Sequence, residues 1–197
     1  MNLPNKLTIF RIVLVPVMVV VWLFPYDAFG ICFGSLNVGQ VSISYLNLIV
    51  LAIFVIASLT DMLDGKIARK YQLITTFGKF ADPIADKLLV NTALIIMLYK
   101  GMVSVLPVVI MLGRDIIVDG CRMIASQNGK VVAAGFLGKL KTVCQMVTIV
   151  IVLLNNIPFE LIYMPIDEIL LWFTAFVSAA GCYSYFNQLK DYIFESM

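Results

Sequence analysis

The sequence predicts an all-α integral membrane protein, with six transmembrane helices in one domain that covers residues 1–197. Three observations indicate this fold: an apolar composition, six separate apolar stretches, and basic residues that cluster on alternate connections. Of the 197 residues, 61% are hydrophobic and 13% are charged, and the mean hydropathy is +0.99. A soluble domain carries about 25% charged residues, so this chain lacks the polar surface that a water-soluble fold needs.

The six apolar stretches run over residues 7–25, 46–68, 81–99, 104–123, 139–157 and 168–188. About 20 apolar residues cross the hydrocarbon core of a bilayer, so each stretch is long enough for one span. The segment 26–45 contains three glycines and little charge, and we expect it to be a linker. No small-residue cleavage site follows the first stretch, which we therefore expect to be a span and not a cleaved signal peptide.

Basic residues fix the predicted orientation, because the connections of a membrane protein that are rich in Lys and Arg lie in the cytoplasm. With six spans, one side of the membrane has only Lys100. The other side has Lys6, Arg11, Lys66, Arg69, Lys70, Lys79, Arg122, Lys130, Lys139, Lys141 and Lys190. Both termini and the 2–3 and 4–5 connections are therefore predicted to be cytoplasmic. These residues flank spans without a base-stacking surface, which argues against nucleic-acid binding.

Four aspartates form the candidate site. Asp61 and Asp64 lie three residues apart at the end of span 2, and Asp82 and Asp86 lie four apart at the start of span 3. Both spacings place a pair on one face of a helix. Because spans 2 and 3 are joined by a short connection, the two pairs are predicted to meet at the cytoplasmic boundary. Pro83 favours a helix that starts here, since proline is tolerated in a first turn.

Four uncompensated carboxylates at a membrane boundary must take up protons or bind cations. Gly65, Ala68 and Gly78 lie beside them and leave space for a ligand. The sequence has no histidine, and its four cysteines are widely spaced, so oxygen ligands and two Mg²⁺ or Mn²⁺ ions are predicted, not zinc. Two alternatives stay open at this point: a salt-bridged loop, and a pathway for cations or protons.

The segment from Asp61 to Asp86 resembles the signature of the CDP-alcohol phosphotransferase family. The signature reads D-x2-D-G-x2-A-R, eight residues, then G-x3-D-x3-D, and all eight of its fixed positions are present. The resemblance implies a six-span homodimer whose active site lies at the cytoplasmic face. It also implies a reaction in which an alcohol attacks the lipid-side phosphorus of a CDP-activated lipid and CMP leaves.

The resemblance implies roles for the four aspartates. Asp61, Asp64 and Asp82 would hold one metal ion. Asp61, Asp82 and Asp86 would hold the second ion. Asp86 would also act as the catalytic base toward the acceptor hydroxyl.

Further residues are implied to bind CDP. Within the signature these are Asp61, Gly65, Ala68, Arg69 and Gly78, with Arg69 at the diphosphate.

The N-terminal run is similar to that of bacterial phosphatidylglycerophosphate synthases, a group within this family. The similar positions are Pro4, Asn5, Thr8 and Arg11, and the last three are implied to lie near the nucleotide. For Arg11, an interfacial anchor whose charge reaches the head groups is the alternative.

Spans 4 and 5 carry the candidate site for the phosphate of the acceptor: Arg114, Arg122, Lys139 and Lys141. These cations favour a phosphorylated acceptor, sn-glycerol 3-phosphate. Pairing of Arg114 with Asp115 or Asp119, and a merely basic loop around Lys139, are the alternatives. Similar synthases usually have Glu where this chain has Asp115. Inositol phosphate, phosphatidylglycerol and serine remain open as acceptors.

Overall fold

The computed structural model describes residues 2–39, 41–73, 75–127, 135–157 and 159–195. The described residues form six long α-helices, which confirms the predicted fold class. Their bounds are α1 Leu3–Leu23, α2 Tyr45–Lys70, α3 Thr76–Tyr99, α4 Val105–Gln127, α5 Phe136–Leu153 and α6 Ile166–Glu195. Two 3₁₀ turns, Tyr26–Phe29 and Phe159–Ile162, and two short strands, β1 Ser35–Val38 and β2 Val41–Ser44, complete the described structure.

Four of the helices in the described parts of the chain are long and apolar enough to cross a membrane. They are Leu3–Leu23, Tyr45–Ala68, Phe136–Leu153 and Ile166–Gln188. Helices α3 and α4 have 24 and 23 residues, which is sufficient length, but they carry the charged candidate residues. Large apolar side chains such as Ile95, Ile116 and Phe176 are exposed, as expected of helices that face lipid.

The chain forms two compact units. Unit 1 comprises Met1–Ile96 and Val150–Met164, and unit 2 comprises Met97–Ile149 and Pro165–Met197. In unit 1, α1 packs against α2. The buried residues Val50, Phe54 and Ala57 recur on α2 at helical spacing, and this periodicity directs one stripe of α2 into the core.

Unit 2 is built on the packing of α4 against α6. Leu171, Ala175 and Ser178 are buried and follow one another at helical spacing on α6. Thr174 and Thr148 of α5 are also buried, with their hydroxyl oxygens 3.3 Å apart. Each hydroxyl also bonds a carbonyl one turn earlier in its own helix, so both polar groups are satisfied inside the core.

Helix α3 begins earlier than the sequence analysis predicted. It starts at Thr76, five residues before residue 81, and the Thr75 hydroxyl accepts a hydrogen bond from the Gly78 amide at 3.0 Å. This bond is typical of an N-capping residue. Pro83 therefore lies inside the helix, and its interpretation as a first-turn residue was wrong. Proline there leaves one carbonyl of the preceding turn without its helical donor.

The linker predicted over 26–45 contains regular structure. Strands β1 and β2 pair in antiparallel fashion, with Val38 opposite Val41 and Leu36 opposite Ile43. Gly39 has a φ of +63°, a conformation that glycine adopts without strain at such a turn. The strands are only four residues long, which is why the sequence pattern did not distinguish them from an irregular linker.

The chain turns sharply after α5, close to the predicted break. Asn155 and Asn156 both have positive φ values, +50° and +59°. The buried Asn156 side chain donates to Glu160 Oε2 at 3.0 Å and to the Met164 carbonyl at 2.7 Å. The exposed Asn155 side chain donates to the Ser42 carbonyl at 2.8 Å. The two residues share a backbone conformation but differ in burial.

Replacing Asn156 with alanine is expected to destabilise the protein more than replacing Asn155. Both substitutions place alanine in the left-handed region at a cost of about 1–2 kcal/mol. Only Asn156→Ala also removes two partly buried hydrogen bonds, each of which contributes about 1 kcal/mol. Unfolding of both variants in detergent micelles should therefore show that Asn156→Ala is less stable by about 1–2 kcal/mol. Equal losses would contradict the importance of these side-chain bonds.

Candidate active site

The two halves of the aspartate motif lie on either side of the connection between α2 and α3. The Tyr71 amide donates to the Ile67 carbonyl at 3.0 Å and the Leu73 amide to the Ala68 carbonyl at 2.9 Å, which closes the end of α2. Gln72 has a φ of +54°, and α3 begins four residues later. This short reversal keeps the last two turns of α2 near the first two turns of α3.

An open cavity of about 400 Å³ lies in unit 1 among these turns. Its lining consists of three motif acids, small residues and polar residues. The described lining is Pro4, Asn5, Asp61, Met62, Asp64, Gly65, Lys66, Ala68, Leu73, Thr75, Gly78 and Asp82. Asp86 lies one turn beyond Asp82 on α3 and is outside this lining. The structure thus places three of the four motif acids, Asp61, Asp64 and Asp82, around one space, whereas the spacing predicted that all four would meet.

Arg11 of α1 connects the two acids of α2. Its Nη1 lies 2.6 Å from Asp61 Oδ1, and its Nη2 donates to Asp64 Oδ2 at 2.5 Å. Arg11 and Asp64 are buried, with exposures of 0% and 3%, whereas the Asp61 side chain is 36% exposed. Arg11 is not among the described residues that line the cavity. Its guanidinium therefore contacts the carboxylates from within the protein.

Thr8 and Asn5, one and two turns before Arg11, contact α3 and the residue that caps it. The Thr8 hydroxyl lies 2.6 Å from Asp82 Oδ1, to which it donates, and 3.1 Å from the Pro4 carbonyl. The Thr75 hydroxyl donates to Asn5 Oδ1 at 2.9 Å. A Cβ atom on Gly78 would stand 3.4 Å from Asn5 Oδ1 and 3.7 Å from Asp82 Oδ2. Glycine therefore keeps this wall of the cavity open.

The donor set fits hard divalent cations, because every candidate ligand is a carboxylate oxygen. Arg11 contacts one oxygen of Asp61 and one of Asp64, and Thr8 contacts one oxygen of Asp82. Each carboxylate has a second oxygen. In the described parts of the chain, no three acidic, thiol or imidazole groups lie close enough together to hold an ion as they stand. A cation would therefore have to draw the carboxylates together.

The basic candidate residues lie in unit 2, where two of them share an aspartate. Lys141 Nζ lies 2.7 Å from Asp115 Oδ2 and 3.0 Å from Oδ1, and Arg114 Nη1 lies 3.1 Å from Oδ1. Asp115 and Lys141 are buried. The pairing of Arg114 with Asp115, which the sequence left open, is therefore present. Lys139 is exposed on the next helix, α5.

Tyr185 of α6 joins the two arginines. Arg122 Nη2 donates to the Tyr185 hydroxyl at 2.7 Å, and the Gly135 amide also donates to this oxygen, at 3.2 Å. The guanidinium carbons of Arg122 and Arg114 lie 5.1 Å and 5.9 Å from the centre of the tyrosine ring. These distances are typical of cation–π contacts. The buried tyrosine thus fixes Arg122 and supports Arg114.

A smaller cavity of about 250 Å³ lies beside this cluster. Its described lining is Gly135, Phe136, Leu137, Gly138, Gly181, Ser184, Tyr185 and Gln188. Arg114 Nη2 lies 3.2 Å from the position of a Cβ on Gly181 and 3.8 Å from that of a Cβ on Gly138. Within the described structure, Arg114 Nε and Nη2 are buried and have no hydrogen-bond partner. Nη2 of Arg114 thus lies beside two glycines that line this cavity, while Arg114 itself is outside the described lining.

Sequence reasoning did not identify several residues of these sites. Thr75 is one of them, although its position three residues before Gly78 is a capping signal. Tyr185 and Gly181 gave no signal, since one aromatic and one small residue in an apolar span are ordinary. The side chain of Arg69 lies outside the described residues, although its backbone belongs to α2.

Comparison with known proteins gives a consistent result. The family described as CDP-alcohol phosphatidyltransferase matches residues 1–180. The chain is 42% identical over 187 residues to the CDP-diacylglycerol--glycerol-3-phosphate 3-phosphatidyltransferase of Bacillus subtilis (strain 168), covering 95% of this chain and 94% of that protein. The protein of the same name from Rickettsia typhi (strain ATCC VR-144 / Wilmington) is 39% identical over 192 residues, covering 97% and 98%.

A third relative of the same name, from Salmonella choleraesuis (strain SC-B67), is 35% identical over 152 residues, covering 75% of this chain and 74% of that protein. The match to the family extends well beyond the aspartate motif and includes α1, α4 and α5 and half of α6. The resemblance stated from the motif is therefore confirmed, and the chain belongs to the CDP-alcohol phosphatidyltransferase family.

Proposed function

We propose that this chain transfers the phosphatidyl group of CDP-diacylglycerol to sn-glycerol 3-phosphate and releases CMP. The observation that carries the proposal is the cavity of unit 1, where Asp61, Asp64 and Asp82 stand beside small residues. Such a cavity suits cations and, together with them, a diphosphate. The names of the curated relatives, which are 42% and 39% identical to the chain, support this donor and this acceptor.

Two divalent cations, Mg²⁺ or Mn²⁺, are the cofactors that the donor set favours. Asp61, Asp64 and Asp82 would hold the first, and Asp61, Asp82 and Asp86 the second. When bound, such ions would offset the charge of the diphosphate and of the phosphate oxygen that departs with CMP. The four carboxylates have a formal charge of −4, which two divalent cations balance.

The cytidine nucleotide would occupy the unit 1 cavity. Its volume of about 400 Å³ is within the usual range for small-molecule sites. Gly65, Ala68 and Gly78 leave room in the cavity because they are small, and Asn5 offers a polar side chain. Arg69 would contact the diphosphate. The same cavity is open, so the diacylglycerol part of the substrate can remain in the bilayer.

The reaction needs only one proton transfer by the protein. The acceptor hydroxyl oxygen forms a bond to the phosphorus that bears diacylglycerol, and the bond from that phosphorus to the bridging oxygen breaks. CMP leaves with the bridging oxygen. Asp86 would take the proton of the acceptor hydroxyl as general base. No covalent enzyme intermediate is required.

The cationic cluster of unit 2 would bind the phosphate of the acceptor. Arg114 is the strongest candidate, because its buried Nε and Nη2 have no hydrogen-bond partner in the described structure and Nη2 lies beside two glycines that line a cavity. Arg122 is held by Tyr185, and Lys141 shares Asp115 with Arg114. Lys139 is exposed on α5 and would add positive charge near this cluster. Arginine suits a phosphate group because it donates two parallel hydrogen bonds.

The basic connections favour a cytoplasmic active site and cytoplasmic termini. A homodimer is expected from the resemblance to the family. Both features go with the proposal and can be tested by cysteine accessibility in sealed vesicles and by the mass of the detergent-solubilised protein.

The acceptor assignment is tested by measuring CMP release with a panel of acceptors. Purified protein in mixed micelles with CDP-diacylglycerol and Mn²⁺ or Mg²⁺ should release CMP when sn-glycerol 3-phosphate is added. Serine, inositol phosphate and phosphatidylglycerol should support at most a few per cent of that rate. Preferential use of any of these three would replace the acceptor and leave the reaction class intact.

Asp86→Asn should reduce kcat by about 10²–10⁴-fold, the usual contribution of a general base, because the amide cannot accept the proton. The variant is close in shape to the native residue, so the protein should still fold. Asp27→Asn removes an exposed carboxylate from the 3₁₀ turn Tyr26–Phe29 and is the matched control. Turnover by Asp86→Asn at the rate of the control would eliminate Asp86 as the base.

Gly181→Ala should weaken the use of the acceptor specifically. The new methyl group would stand 3.2 Å from Arg114 Nη2 and 3.6 Å from Leu137 Cβ, so the guanidinium must shift. We expect the KM for glycerol 3-phosphate to rise about 3- to 10-fold, equivalent to the loss of about one hydrogen bond, with little change in kcat. Gly120→Ala on α4 is the control, because a Cβ there meets nothing within 4 Å. A rise in the KM for CDP-diacylglycerol alone would contradict this assignment.

A further inference from the structure

We infer that Arg11 and Thr8 of α1 position the carboxylates of the cation site, and do so without contacting the nucleotide. The inference rests on the proposed function, since it assigns these residues a task at the proposed cation site. It differs from the role that the resemblance implied, in which both residues lie near CDP.

The contacts of Arg11 support a positioning role. One guanidinium joins Asp61 and Asp64, at 2.6 Å and 2.5 Å, and these acids lie three residues apart on another helix. A planar guanidinium that contacts two carboxylates restricts the orientation of both. Arg11 thus hydrogen-bonds one oxygen of Asp64 and forms an ion pair with one oxygen of Asp61, and a second oxygen of each carboxylate would serve a cation.

The location of Arg11 argues against the two other roles. An interfacial anchor extends its charge to the head groups and to water, whereas Arg11 is 0% exposed. A nucleotide contact requires access to the cavity, and Arg11 is not among the described residues that line it. The carboxylates of Asp61 and Asp64 do line the cavity. The guanidinium therefore lies behind the carboxylates with respect to the space that a ligand would enter.

Thr8 repeats this arrangement at α3. Its hydroxyl is buried and donates to Asp82 Oδ1 at 2.6 Å. Thr8 and Arg11 are three residues apart on α1, so one face of this helix contacts three of the four motif acids. Because the acids belong to two different helices, α1 fixes the spacing between them. Residues that hold metal ligands in this way typically change metal affinity about 10–100-fold when they are replaced.

The positive charge of Arg11 also changes the net charge of the proposed cation site. The four motif carboxylates have a formal charge of −4, and Arg11 reduces this sum to −3. The site remains attractive to divalent cations, while the two acids that Arg11 contacts are partly compensated before any cation binds. Removing the charge altogether would leave the buried Asp64 uncompensated and would destabilise the fold. The informative substitution is therefore Arg11→Lys, which keeps the charge but cannot contact two carboxylates with one planar group.

The test measures Mn²⁺ binding to the full-length detergent-solubilised protein without nucleotide or lipid substrate, by electron paramagnetic resonance of free Mn²⁺. Arg11→Lys should weaken binding by about 10-fold or more. Thr8→Val, which keeps the shape but removes the hydroxyl, should also weaken binding, and Thr8→Ser should restore it. Lys6→Gln removes an exposed positive charge from the same helix and should bind Mn²⁺ like the wild type.

Three outcomes would overturn the inference. Unchanged Mn²⁺ affinity in Arg11→Lys and Thr8→Val, combined with weaker binding of CDP, would assign both residues to the nucleotide. Tighter Mn²⁺ binding by Arg11→Lys would mean that the guanidinium competes with the cation instead of positioning its ligands. Failure of the wild type to bind Mn²⁺ would overturn the proposed cation site itself, and that result is distinguishable because it appears before any substitution is made.

Discussion

Unit 1 depends on the compensation of the motif carboxylates among apolar helices, above all that of Asp64, which is buried. An ionised acid in such surroundings is costly unless it is paired or hydrogen-bonded. Arg11 and Thr8 meet this requirement for Asp61, Asp64 and Asp82. The same contacts connect α1 with α2 and α3, so the helix that compensates the charge also determines where the acids stand. Fold and candidate site thus have the same physical origin in this unit.

In unit 2 the charged groups that need compensation are cations. Asp115 compensates two of them, because it contacts both Lys141 and Arg114. Tyr185 adds its ring and its hydroxyl to the two arginines. Nε and Nη2 of Arg114 have no hydrogen-bond partner in the described structure, and Nη2 lies beside two glycines that line a cavity. Incomplete compensation next to a cavity is what an anion-binding site requires.

The sequence was sufficient for features that depend on local spacing. Helical periodicity placed Asp61 and Asp64 on one face, and hydropathy located all six helices within a few residues at most ends. The prediction for Pro83 was wrong. The Thr75 cap fixes the start of α3, and proline is tolerated in a first turn but does not mark one. The sequence also could not assign contacts for Arg11, whose partner Asp64 is 53 residues away, because such a contact depends on how α1 is rotated against α2.

The balance of charge differs between the candidate sites of the two units. In unit 1 the motif acids outnumber the contacting arginine, which leaves a net negative cavity suited to cations. In unit 2, the three cations Arg114, Arg122 and Lys141 outnumber Asp115 within this cluster, an excess that would suit a phosphate group. In both units the compensating residue orients the excess groups without neutralising them. Under the proposed function, the excess charge and not the paired charge would attract each ligand, and a buried ion pair such as Lys141–Asp115 would orient the groups that do so.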